Sequence, residues 1–330
     1  MPRIQGRVIR SIFIGGGTPS VLSPDAIYDL LSGVRARLSV MAGAEITLEA
    51  NPGTMDNARF LGFREAGINR LSLGIQSFDE NALQHLGRIH GRIEAINAVE
   101  AALKAGFNHI NLDLMFGLPT ETIEAALKDL QTAAAFEIPH LSWYQLTIEP
   151  NTLFFHQPPE LPNDDLLWEM QIAGQNYLAE QGYLQYEISA YAKSGQQCQH
   201  NLNYWKFGDY LGIGAGAHGK ISDMARGTIT RLSKQQHPQS YLKSATANET
   251  KLTPTDVGLE FMMNALRLFE GFTNQEFVEN TGLNMACIEK PIQDAYARGW
   301  LSKDKETQRI CCTNTGMRFL NEVLGLFVPY

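Results

Sequence analysis

The first half of the chain alternates short apolar runs with stretches of helical periodicity, and that alternation narrows the fold to a parallel sheet with crossover helices. The runs predict strands over residues 11–14, 45–49, 70–75, 109–115 and 141–146. Ser23 followed by Pro24 signals one helix start, and Thr54 signals another that Gly67 ends. Ile93, Ile96, Val99 and Leu103 share one face of a helix closed by Gly106, and Ile123, Ala126, Leu127, Leu130 and Ala134 share one after Thr120. Periodicity alone leaves both an open doubly wound sheet and a barrel standing.

Both architectures bind ligands at the C-terminal ends of their strands, and the unusual residues gather there. They are Gly15-Gly16-Gly17-Thr18-Pro19, Glu49-Ala50-Asn51-Pro52, Gln76-Ser77-Phe78 and Asp113-Leu114-Met115-Phe116-Gly117-Leu118-Pro119. Glycines after a strand let backbone approach a ligand closely. Glu49, Gln76, Arg88 and Asp113 supply a carboxylate, an amide, a guanidinium and a second acid, a set suited to an amino acid attached to a sugar. Taken singly, the same residues also fit a tight strand-to-helix turn and surface ion pairs.

The formal charge of −8, from 27 basic and 35 acidic residues, has the wrong sign for a protein that neutralises phosphates, so nucleic acid is not expected as a partner. No apolar run reaches the ~18 residues needed for a transmembrane segment. The four cysteines, Cys198, Cys287, Cys311 and Cys312, fit neither a disulfide framework nor a metal knuckle, and a cytoplasmic setting is expected.

From about residue 252 the pattern changes to helices and one hairpin in a winged-helix-like order. Leu259, Met262, Leu266 and Phe269 form an amphipathic helix ended by Gly271, helices follow over 273–280 and 291–298, and residues 300–302 pair with 309–313. Thr315 is expected to cap a last helix that turns Leu320, Val323, Leu324 and Phe327 inward. Residues 251–330 hold eight basic and ten acidic side chains, which argues against groove binding. Residues 212–217 look like a dinucleotide loop but lack its context, so close backbone packing is expected there, with His218 structural.

The strand-end motifs resemble those of the radical S-adenosylmethionine (SAM) proteins related to oxygen-independent coproporphyrinogen oxidase, over nearly the whole chain. Within that family, His200-Asn201-Leu202-Asn203-Tyr204-Trp205 resembles the signature of the heme-chaperone branch, which separates it from the decarboxylating oxidases. The resemblance implies an incomplete (β/α)6 barrel over 1–235, here without its first strand-helix unit, and a small helical C-terminal domain over 236–330. It implies Gly16, Gly17 and Thr18 at the methionine end of SAM, Glu49 at its polar groups, Arg88 at its carboxylate, and Gln76 and Asp113 at its ribose. Thr147 is a weaker candidate.

Family members carry a Cys-x3-Cys-x2-Cys run that holds a [4Fe-4S] cluster, and this sequence does not contain it. Such a cluster needs thiolate ligands, so cluster assembly and radical enzymology are not expected of this chain. The expected function is that of a heme carrier delivering to hemoproteins such as respiratory enzymes; the alternative is coproporphyrinogen III decarboxylation in porphyrin biosynthesis. His200 is the candidate heme-iron ligand, with Tyr204 and Trp205 against the macrocycle, while a loop hydrogen bond for His200 and domain packing for the two aromatics stay open. Residues 190–234 carry six basic and two acidic side chains, a sign that suits heme propionates. Cys198 fits either a second iron ligand or a buried structural thiol.

Overall fold

The computed structural model describes residue 4 and residues 6–328, and its packing divides the chain into two units, one over residues 6–200 and one from residue 201 onward. Residues 201–235, which the expected barrel span of 1–235 includes, fall in the second unit.

In the first unit five parallel strands, β1 (Ile9–Ile14), β2 (Val40–Ala50), β3 (Arg70–Gln76), β4 (Ile110–Phe116) and β5 (His140–Gln145), lie in sequence order. The short strands β6 (Leu184–Glu187) and β7 (Ala190–Ala192) extend the sheet antiparallel beyond β5 in the order β5-β7-β6. The result is a seven-stranded sheet curled as a half-barrel, as the expected incomplete barrel requires. All five predicted strands are present, four within two residues of their expected limits, while β2 starts at Val40 where residue 45 was expected.

The helices of this unit are α1 (Pro24–Arg35), α2 (Asn57–Ala66), α3 (Glu80–His85), α4 (Arg92–Lys104), α5 (Ile123–Ala134), α6 (Leu153–His156), α7 (Asp164–Glu180) and α8 (Gln199–Trp205), whose last residues belong to the second unit. Ser23 caps α1 as expected. Helix α2 starts later than Thr54, which sits in a 3-10 turn, because the Asp56 side chain accepts the Arg59 amide and so makes the cap. Gly67, at φ 111°, ends it.

One face of the sheet buries Ile46, Leu48, Leu71, Leu73, Ile110, Leu112, Leu141 and Trp143 in a core shared with helix residues such as Ile27, Phe60, Phe63, Val99 and Leu130. Side chains alternate along a strand, so the intervening positions Glu49, Ser72, Asn111, Asp113, His140, Ser142 and Tyr144 share the opposite face. Helix α4 corrects the expected apolar stripe. Ile93 is 68% and Leu103 40% exposed, whereas Ala95, Ala98, Val99 and Ala102 are buried. Small side chains let this helix approach the core, and the larger residues beside them stay outside.

The second unit pairs β8 (His218–Asp223), β9 (Thr228–Lys234) and β10 (Ala247–Lys251) in an antiparallel sheet, with α9 (Pro238–Lys243) between the last two strands. Then come α10 (Pro254–Ala265), α11 (Asn274–Thr281) and α12 (Glu289–Ala297), the hairpin β11 (Leu301–Lys303) with β12 (Ile310–Cys312), and α13 (Asn314–Arg318) and α14 (Leu320–Gly325). Thr253 and Thr273 form capping boxes with Asp256 and Glu276. The last helix is broken at Phe319, and its cap is Thr313 where Thr315 was expected: the Thr313 hydroxyl accepts the Gly316 amide. Among the described residues no helix is long and apolar enough to cross a membrane.

Candidate functional site

The polar face of the first unit opens into a cavity of about 280 Å³ at the C-terminal strand ends. Gly17, Thr18 and Pro19 line it after β1, Glu49, Ala50 and Asn51 after β2, Ser72, Gly74 and Gln76 from β3, Asp113 from β4 and Tyr144 from β5. Parallel register brings these side chains together: Glu49 pairs with Ser72, Ser72 with Asn111, and Asp113 with Ser142.

The glycine turn after β1 needs its residue type. Gly16 and Gly17 have φ of 83° and 59°, in the left-handed region that favours glycine. The Gly16 amide donates to Glu49 Oε2 at 2.9 Å, which ties the turn to the acid on the next strand. Asn51 Nδ2 lies 3.4 Å from Thr18 Oγ1. Gly74 keeps the floor open, since a Cβ there would lie 3.1 Å from both Asn51 Oδ1 and Gln76 Nε2.

Asp113 is the most deeply held acid of the cavity. Ser72 Oγ donates to its Oδ2 and Asn111 Nδ2 to its Oδ1, each at 2.9 Å. Burial nevertheless outweighs these bonds and raises the carboxyl to about 6. Gln76 ends β3 with φ 68°, and its Oε1 accepts the Tyr144 hydroxyl at 2.9 Å. Burial raises the Tyr144 phenol to about 12, so it remains a donor. The cavity thus offers carboxylates, an amide and freed backbone to hydroxyls and an ammonium, and Tyr144 and the carbon faces of Ala50 and Pro19 to an apolar group.

Five of the seven strand-end candidates, Gly17, Thr18, Glu49, Gln76 and Asp113, line this cavity together. Gly16 touches it through Glu49. Arg88 is exposed beyond α3 and Thr147 is exposed after β5, and neither is among the lining residues. Ser72, Gly74 and Tyr144 were missed, as were Asn111 and His140 behind them. Their signal was polar or small residues at alternate positions of otherwise apolar strands.

At the end of the first unit, His200 stacks on Phe13 with ring centroids 4.7 Å apart and 24° between planes. Its Nδ1 lies 3.5 Å from Ser11 Oγ. The Glu45 carboxylate holds this turn, accepting the His200 amide at 2.9 Å, the Gln199 amide at 3.1 Å and the Cys198 thiol at 3.4 Å. Burial lowers the His200 imidazole below its ordinary value, which favours the neutral form at pH 7.

Within the second unit Tyr204 packs on Tyr210 at 4.3 Å and Trp205 lies under the Arg267 guanidinium at 4.3 Å. Lys220, 2% exposed, pairs with Asp209 at 2.9 Å and sits 4.1 Å from the Phe207 ring centroid. Gly212 packs against His218, whose carbonyl oxygen would lie 2.1 Å from an added Cβ; this close backbone packing was expected for residues 212–217.

The Radical SAM superfamily model matches residues 3–133, and the HemN C-terminal domain model matches residues 252–319. The heme chaperone HemW of Escherichia coli strain K12 is 50% identical over 98% of this chain and 85% of its own length. HemW of Haemophilus influenzae is 50% identical over 98% and 84%. Among solved structures, coproporphyrinogen III oxidase (HemN) from Escherichia coli aligns with a TM-score of 0.79 at 21% identity, covering 98% of this chain and 78% of that one, a likeness of fold. With a half-identical relative matched over 98% of this chain and 85% of its own length, this chain belongs to the HemW heme-chaperone family of radical SAM proteins.

Proposed function

We propose that this chain binds heme and passes it to hemoproteins, on a scaffold whose strand-end cavity holds SAM. The observation that carries the heme reading is His200: a neutral imidazole stacked on Phe13, on a turn that three donors fasten to Glu45. Tyr204 and Trp205 belong to the second unit, where they pack on Tyr210 and under Arg267, so the heme reading rests on His200.

The cavity suits SAM by its donor set. Gly16, Gly17 and Thr18 would border the methionine end, Glu49 would take the ammonium, and Gln76 and Asp113 would take ribose hydroxyls; Arg88 would reach the carboxylate from the exposed end of α3. When bound, SAM brings a sulfonium and a nucleoside that can order these strand ends. The protein's own part is to orient Gln76 through Tyr144 and to hold Asp113 between Ser72 and Asn111.

A [4Fe-4S] cluster does not fit the residues in hand. Among the described residues no three histidine, cysteine or acidic side chains gather to hold a metal, and the Cys198 thiol is buried against Glu45. The four free cysteines suit a reducing, cytoplasmic site of action.

Titration of hemin into the purified chain tests the heme reading. A Soret band that shifts in His200→Ala is expected. A band unchanged in that variant would remove His200 as the ligand.

A further inference from the structure

We propose that Asp129 is a positioning residue for the cavity, acting from α5 by clamping the turn after β3 and thereby fixing Gln76. This rests on the reading that Gln76 contacts the nucleoside.

Gln76 needs such support because it is a long side chain in left-handed backbone, at φ 68°, where non-glycine residues persist only if their surroundings over-determine them. The two residues that follow it are held by one carboxylate. Ser77 Oγ donates to Asp129 Oδ2 at 2.5 Å, and the Phe78 amide donates to Oδ1 at 2.9 Å. The Asp79 amide in turn donates to Ser77 Oγ at 2.9 Å, and Arg92 Nη1 donates to the Phe78 carbonyl at 2.9 Å. Ser77 is fully buried and Asp129 is 3% exposed.

Asp129 does not line the cavity, and its neighbours on the same helix face, Ala126, Leu130 and Ala133, are plain core residues. Burial raises its carboxyl to about 6, so an acid is unfavourable there by its own energetics. Both of its oxygens are used on the turn that follows Gln76 and on nothing that the packing of α5 requires. An apolar residue would serve the core and leave the Ser77 hydroxyl and the Phe78 amide without acceptors. Gln76 then presents its amide to the cavity from a fixed backbone, with Tyr144 setting its rotamer.

A double-mutant cycle read by SAM calorimetry at pH 8 tests this. Asp129→Asn is expected to weaken SAM about tenfold in the native background and to add nothing in a Gln76→Ala background. Equal losses in both backgrounds, or no loss in the native one, would overturn the clamp. Absence of any SAM heat in the native chain would overturn the site reading beneath it, a separate failure. Should Asp129→Asn fail to fold by circular dichroism, Ser77→Ala removes the same bond and completes the cycle with the same two outcomes.

Discussion

His140 Nδ1 lies 2.7 Å from Asn111 Oδ1, and this contact sets the direction of a buried chain of hydrogen bonds. Asn111 gives its amide hydrogens to Ser72 and Asp113, so its oxygen must accept and His140 must donate from Nδ1. Burial holds the imidazole neutral, lowering it well below its ordinary value. Its Nε2 therefore accepts from Tyr186, 2.9 Å away, whose oxygen receives the Cys198 amide. Every donor in the chain points toward Asp113.

Tyr186→Phe removes one oxygen from that chain and takes the hydrogen-bond donor from buried His140 Nε2. We expect it to lower folding stability by about 1–3 kcal/mol in urea denaturation. A variant as stable as the native chain would show that the chain of bonds is idle.

Asp113 makes stability depend on pH in a definite direction. The folded state keeps its proton up to about pH 6, while an unfolded aspartate releases it near the ordinary value of 3.8. Rising pH between those values costs the native chain stability that Asp113→Asn retains. The gap between the two melting temperatures should therefore move in the variant's favour as pH rises from 4 to 7 and level off above. A gap independent of pH would contradict the buried acid.

Gly74→Ala should close the cavity floor. The added methyl would lie 3.1 Å from both Asn51 Oδ1 and Gln76 Nε2, so SAM affinity should fall while the melting temperature changes little. Unchanged affinity would place the ligand elsewhere.

In the second unit, Lys220→Ala leaves Asp209 partly buried without its cation and is expected to cost about 3–5 kcal/mol. Guanidinium denaturation followed by Trp205 and Trp300 fluorescence measures it, and a loss under 1 kcal/mol would contradict the pair.

Much of this fold was legible in the chain because buried parallel strands read as apolar runs and helices α2 and α4 are followed by the stop glycines Gly67 and Gly106. The strands from residue 184 to 251 were not. β6 and β7 hold four and three residues, and β9 (Thr228–Lys234) mixes polar and apolar side chains and fully buries only Ile229. On α4 the large apolar residues drew attention to the wrong face, since alanines make the close packing. In the site, Glu49, Gln76 and Asp113 were readable as polar residues at strand ends. Ser72, Asn111, His140 and Tyr144 lie inside apolar runs, where a single polar residue reads as noise until the period of two is compared across β3, β4 and β5.

Calorimetric titration of SAM into the native chain and into Asp113→Ala and Glu49→Gln tests the central claim most directly. The account predicts saturation at one equivalent for the native chain and at least about a tenfold weaker affinity in each variant, from loss of charge-assisted bonds. Native binding that both variants leave unchanged, or no binding heat from the native chain, would contradict it.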